Sequence, residues 1–184
     1  MIRKAVKSDI DRIELLYREI LTYEAEHGSH SKWALDVYPT RKTAEKGFDE
    51  GNLYVLEDDG EICGSIILNH TQADVYKKIH WKFRADGEDV LVIHTLSVSP
   101  YKTGKGYGSQ LVHFAFKKAE ELGCKSVRLD TYAANFPAAT LYKDCGFRYS
   151  GTAFSVLNGV IPEMQIFFEK EITNKESRPL KMVC

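Results

Sequence analysis

The sequence predicts a mixed α/β fold, with a central mixed sheet of about six to seven strands and about four helices. Three observations carry this. Strand-like and helix-like segments alternate in the order β-α-α-β-β-β-α-β-α-β-β. The run from Val90 to Val98 is almost continuously β-favouring, as expected of a central strand buried on both faces. The stretch 90–131 reads strand–helix–strand, the pattern of a right-handed parallel crossover.

Each element has its own signal. Ile2 to Val6 is a short strand, and Ser8-Asp9-Ile10-Asp11 resembles a capping box with Asp in its last place. Ile13, Leu16, Tyr17, Ile20 and Leu21 recur at helical spacing, predicting a helix over about 9–24. Residues 27–38 form a polar loop carrying Trp33 and Tyr38, and Pro39-Thr40 opens a helix ending near Gly51. Strands at 53–57 and 62–68 flank Asp58-Asp59-Gly60-Glu61, a hairpin turn because Asp-Gly tolerates positive φ. Residues 70–89 are longer and more polar than a hairpin link, which marks them as a candidate functional loop. After the central strand comes a glycine-rich turn, 100–108, and a helix to Leu122 with Tyr107, Leu111, Ala115, Ala119 and Leu122 on one face. Gly123 stops that helix. A strand at 126–131 follows, then a short helix from Asn135-Phe136-Pro137 to Gly146. Two final strands, 147–157 and 160–171, flank the hairpin signal Asn158-Gly159. One domain over 1–172 and a polar, frayed tail over 173–184 are expected.

Composition narrows the classes of function. The chain has 184 residues and a formal net charge of −1, so bulk charge favours neither nucleic acid nor an anionic membrane. No run of about 18 apolar residues is present, and the N-terminus lacks an apolar signal region, so a cytoplasmic location is expected. The four cysteines form no C-x-x-C pair. Cys63, Cys124 and Cys145 are expected to be buried thiols, and Cys184 exposed. His27 and His30 lack a carboxylate partner in a ligating pattern, so no metal is expected.

The chemistry concentrates around Thr103-Gly-Lys-Gly-Tyr-Gly-Ser109. Gly104, Gly106 and Gly108 lie between a buried strand and a helix, where backbone N–H groups meet a ligand unobstructed and the helix N-terminus adds positive partial charge. That is a phosphate or pyrophosphate site. A P-loop does not fit. A dinucleotide loop fits at Gly104 and Gly106 but meets Ser109 at its third glycine, with Asp130 about twenty residues on as its acidic partner. Coenzyme A is the third ligand class.

Leu96-Ser97-Val98, followed by Thr103-Gly104-Lys105-Gly106-Tyr107-Gly108, resembles the signature of the GNAT superfamily of N-acetyltransferases. The family's second signature, N-x-x-A-x-x-L-Y-x-x-x-G-F, is matched by Asn135, Ala138, Leu141, Tyr142, Gly146 and Phe147. The resemblance covers nearly the whole chain, with one departure: Thr103 stands where the family carries Gln or Arg.

The resemblance implies a GNAT-like acyltransferase fold, acetyl-CoA as co-substrate, and direct attack by a small-molecule amine in a ternary complex. It places Leu96, Ser97, Val98, Thr103, Gly104, Lys105, Gly106, Tyr107, Gly108, Ser109, Asn135, Ala138 and Tyr142 at acetyl-CoA. The Leu96 and Val98 backbones would hold the pantetheine arm, with the Val98 N–H polarising the thioester carbonyl. Tyr142 would be the general acid, because a phenol of pKa about 10 is protonated at neutral pH. A helical face of Ala138, Leu141, Tyr142 and Cys145 also reads as plain core. For the base, period-two alternation places His94 on the strand face of Leu96 and Val98; Asp130 is an alternative, as is water. Asn135 has N-cap chemistry. Tyr23, Glu26, Trp33, Tyr38, Trp81 and Phe83 are the candidates around the acceptor. A protein N-terminus or lysine as acceptor, and an inert acyl-CoA-binding module on the same fold, stay open. A homodimer is an expectation by analogy alone.

Overall fold

The computed structural model describes residues 1–102 and 104–173. Thr103 and the tail from 174 onward, with Cys184, lie outside the described residues. Seven strands form one sheet: β1 (Ile2–Lys4), β2 (Leu53–Asp58), β3 (Glu61–Asn69), β4 (Val90–Val98), β5 (Ser126–Tyr132), β6 (Arg148–Leu157) and β7 (Ile161–Glu171). Four α-helices accompany it: α1 (Ile10–His27), α2 (Arg41–Asp49), α3 (Tyr107–Leu122) and α4 (Phe136–Asp144). The strand order is β1-β2-β3-β4-β5-β7-β6. Among the described residues only β4 and β5 run parallel; the other neighbours are antiparallel, giving the expected mixed sheet. No helix among the described residues is long and apolar enough to cross a membrane.

The helices divide between the two faces of the sheet. Leu111, Val112, Ala115 and Ala119 of α3 bury against Ile66, Leu91, Leu129 and Phe168, and α4 adds Ala139 and Tyr142 to this cluster. Leu122, expected on the same stripe, is instead solvent-exposed; it is the last helical residue before Gly123 ends α3 at φ 73°. On the other face, Ile10, Ile13 and Tyr17 of α1 and Ala44 of α2 pack on Leu53, Val55 and Ile67. Cys63, Cys124 and Cys145 are buried free thiols, as expected.

The start of α1 departs from the expected capping box. A short 3-10 turn, Lys7–Asp9, precedes the helix, and no side chain caps it. The organising group is Asp9: its carboxylate accepts the Val6 N–H (2.8 Å) and two bonds from Arg3 (2.6 and 3.1 Å). An acceptor with those donors secures the turn directly, so the hydroxyl of Ser8 is not required.

Residues 70–89 contain two 3-10 turns, Asp74–Lys78 and Gly87–Asp89. Buried side chains of the sheet hold this segment. Arg128 donates to Gln72 Oε1 and to the carbonyls of Phe83 and Ala85, with its guanidinium 4.2 Å from the Trp81 ring centroid. Glu169 accepts the N–H groups of Lys82 (2.7 Å) and Phe83 (3.2 Å). These bonds satisfy backbone groups that would otherwise be buried unpaired, and they set Tyr76 against Phe167.

Candidate active site

The site follows from where β4 and β5 separate. Their ladder covers only Val90–Val92 against Ser126–Arg128; beyond it the strands part. The Ser99 N–H donates to Cys63 O on the β3 side (2.9 Å). Successive N–H groups on a strand point to opposite edges, so those of Val98 and Leu96 face the opening. Polar backbone freed in this way needs a partner.

A bulge then reorganises β4. Ser65 opposes Ser97 while Ile67 opposes His94, so two steps on β3 meet three on β4. The additional residue takes Thr95 to φ 45°, an uncommon conformation for a β-branched side chain. Leu96 and Val98 therefore stay on the α3 face with Leu91 and Ile93. His94 lies on the other face, opposite Ile67 of the α1–α2 cluster. The expectation that His94 shares a face with Leu96 and Val98 is thus corrected: one inserted residue reverses the alternation. The imidazole Nε2 lies 3.0 Å from Asn69 Oδ1, and burial lowers its pKa to about 4.

A cavity of about 510 Å³ runs through the opening between β4 and β5 and joins the two faces. Its α3–α4 side is lined by Leu96, Val98, Gly108, Asn135, Ala138 and Tyr142. Gly104 and Gly106 adopt φ 80° and 67°, with open space where a Cβ would stand, and Gly106 is the N-cap of α3. This loop and helix terminus fit a pyrophosphate: the backbone is approachable, and the first-turn N–H groups of α3 are the free donors of any helix start. Gly108 has a different role, since a Cβ there would meet Leu141 Cδ2 at 3.0 Å; its lack of a side chain lets α3 and α4 pack. The side chains of Lys105 and Tyr107 turn away from the loop, both reaching Asp58 Oδ2 on β2, Lys105 at 2.8 Å. Ser97 also turns away: it opposes Ser65, and its hydroxyl lies 3.4 Å from Thr95 O. Ser109 sits in the first turn of α3. The Asn135 side chain caps α4 by accepting the Ala138 N–H at 3.2 Å.

Tyr142 is buried between Phe147 and Phe168 (ring centroids 5.8 and 5.9 Å away) and borders the cavity. Burial, and next the nearby Asp130 charge, push its phenol pKa up, so it is protonated throughout the neutral range.

The opposite side of the cavity is acidic and aromatic. Trp33 and Tyr38 line it, as expected, and Tyr38 Oη lies 2.6 Å from Thr95 Oγ1. Tyr76 lines it too and donates to Asp130 Oδ1 at 2.7 Å. Burial raises the Asp130 carboxyl pKa. Four of the six acceptor-side candidates fall elsewhere. Tyr23 stacks on His27 and Glu26 is exposed, because the helical stripe carrying them faces away from the sheet. Trp81 is taken up by Arg128 and Tyr76, and Phe83 lies outside the lining. In their place stand Glu24, whose carboxylate accepts the Ser31 hydroxyl at 2.6 Å, and Glu163 of β7. Glu163 was legible in principle: Ile161, Glu163, Gln165 and Phe167 share one strand parity, and two polar residues on the parity that buries Phe167 signal a polar site.

A model of the acetyltransferase (GNAT) family matches residues 13–147. Streptothricin acetyltransferase of Escherichia coli is 36% identical over 93 residues, covering 50% of this chain and 45% of that one. Mycothiol acetyltransferase of Thermomonospora curvata is 27% identical over 127 residues, covering 68% of this chain and 37% of the relative. The chain thus spans less than half the length of these two curated relatives. Among solved structures, a GNAT-family acetyltransferase of Streptococcus agalactiae superposes with a TM-score of 0.76 at 21% identity, covering 93% of this chain and 94% of that one.

Proposed function

The chain belongs to the acetyltransferase (GNAT) family, and on that premise we propose that it transfers an acetyl group from acetyl-CoA to a primary amine of a small molecule. One observation carries this reading: one cavity crosses the β4–β5 opening, with Gly108 of the α3 N-terminal turn and a buried phenol on one side and the carboxylates of Glu24, Asp130 and Glu163 on the other. That layout suits an anionic thioester donor meeting a cationic acceptor.

In this reading Gly104, Gly106 and the first turn of α3 hold the pyrophosphate through backbone N–H groups. The Leu96 and Val98 backbones align the pantetheine arm, and the Val98 N–H stabilises charge developing on the thioester oxygen. The amine arrives as an ammonium of pKa about 10.4 and must lose a proton before its nitrogen attacks. In this reading Asp130, which lines the cavity and whose carboxyl pKa burial raises, takes that proton. His94, neutral above about pH 4, serves as a relay rather than the final acceptor. As the new C–N bond forms and the C–S bond breaks, Tyr142 protonates the departing thiolate, and the second proton leaving the adduct nitrogen restores the phenol. The 27–38 loop and the 70–89 segment wall the acceptor side, which supports a small molecule over a polypeptide. Two relatives are named for streptothricin and mycothiol, which supports the same class.

The test is thiol release from acetyl-CoA across a panel of amines, with mass spectrometry of the acetylated product and calorimetric binding of acetyl-CoA against an NAD control. Amine-dependent thiol release is expected. Saturable acetyl-CoA binding with no transfer to any amine would refute the enzyme reading in favour of an acyl-CoA-binding module.

A further inference from the structure

The acceptor side of the cavity holds more negative charge than one reacting ammonium requires. Glu24, Asp130 and Glu163 line the cavity, and no lysine or arginine does among the described residues. Asp130 is the carboxylate that acts on Tyr142. Glu163 lies further along: Asp130 is opposite Phe167 on β7, and Glu163 is four residues before Phe167. At about 3.4 Å per residue this is roughly 14 Å of strand.

Glu163 is 3% exposed. Its Oε1 accepts Gln165 Nε2 at 2.9 Å, and its Oε2 is buried with no hydrogen-bond partner. Lys32, the neighbouring cation, acts on Glu163 through space without bonding it: its Nζ donates to Pro162 O at 2.5 Å and sits over the Tyr132 ring. A buried carboxylate oxygen without a donor is unfavourable by itself, and a cation beside it offsets that cost. Resting on the reading of this cavity as an amine-acceptor site, we infer that the acceptor is a compact dication, its reacting amine beside Asp130 and Tyr142 and its second cationic group held by Glu163 Oε2. Glu163 is then an anchoring residue that sets specificity and takes no part in proton transfer. Burial raises its pKa, with the Asp130 charge adding to the rise, and a cation beside it favours the ionised form.

The experiment compares 1,5-diaminopentane with pentylamine, which has the same chain and one charge. Wild-type protein should show kcat/KM at least tenfold higher for the diamine, mainly through KM. In Glu163→Gln, which keeps the shape and the contact with Gln165, that ratio should fall towards one. A structural role would lower both substrates alike. Calorimetric titration of the two amines into the CoA-bound protein reads the same preference without turnover. Equal binding of the two amines, binding of neither, or an unchanged ratio in Glu163→Gln overturns the anchor. Diamine-selective binding lost in Glu163→Gln, with no thiol release, would uphold the anchor and refute only the transferase reading.

Discussion

Removing one oxygen from Tyr142 tests the acid role with little disturbance elsewhere. In Tyr142→Phe the ring keeps its contacts with Phe147 and Phe168. Among the described residues no hydrogen bond to its hydroxyl is formed, so the change strands no partner, and stability should move by no more than about 0.5 kcal/mol. Loss of a positioned acid should lower kcat by about 10²-fold, or about 2.7 kcal/mol of transition-state stabilisation. Acetyl-CoA affinity should stay within about threefold, because the pyrophosphate and pantetheine contacts proposed above are backbone groups on other elements. The assay is single-turnover thiol release, paired with calorimetric binding and urea unfolding. The pH profile adds a second constraint. Because burial raises the phenol pKa, Tyr142 keeps its proton as pH rises, and no activity should be lost to its ionisation below about pH 10. A variant with kcat within about threefold of wild type, or a wild-type rate falling between pH 8 and 9 in a manner absent from the variant, would refute the assignment.

Three further outcomes are expected. Gly106→Ala, at φ 67°, should cost about 1–2 kcal/mol in the left-handed conformation and raise the acetyl-CoA Kd at least tenfold, read by urea unfolding and calorimetry; unchanged affinity would remove the loop from the donor site. The folded His94 pKa of about 4 lies below the ordinary 6.5, so the unfolded chain takes up a proton first as pH falls. His94 is therefore neutral and without penalty above pH 6.5, and stability drains between pH 6.5 and 4; His94→Gln should show a flatter urea midpoint across that window, and parallel profiles would count against a buried neutral imidazole. Asp9→Asn should lower stability by about 1–3 kcal/mol at pH 7, and because Arg3 and the Val6 N–H hold the Asp9 carboxyl below its ordinary range, the deficit should shrink only as pH drops below about 4; a deficit that persists unchanged at pH 2 would point to packing.

Local chemistry was enough to reach much of this molecule from the sequence. Turn residues with obligatory backbone preferences, such as Asp59-Gly60 and Asn158-Gly159, sit at positive φ as the hairpins demand. Helical spacing marked α1 and α3, and the N-cap at Asn135 follows from side-chain chemistry within three residues. The family signatures were legible because the glycine turn and the Asn135–Phe147 helix are contiguous segments. What escaped were relations between distant segments. The face of His94 depends on a bulge visible only in the pairing of β3 with β4, where one added residue turns every later side chain over. The anchoring of residues 70–89 depends on Arg128 and Glu169, separated from their partners by more than forty residues. Strand parity marks Glu163 as an inward polar residue, but its place in the cavity exists only once β5, β7 and the 27–38 loop enclose it. Periodicity and caps are settled within a few residues of chain, so the sequence by itself determined the elements, their order and the glycine turn. Burial and charge at the acceptor are sums over residues far apart in the chain, and only the tertiary structure decided them.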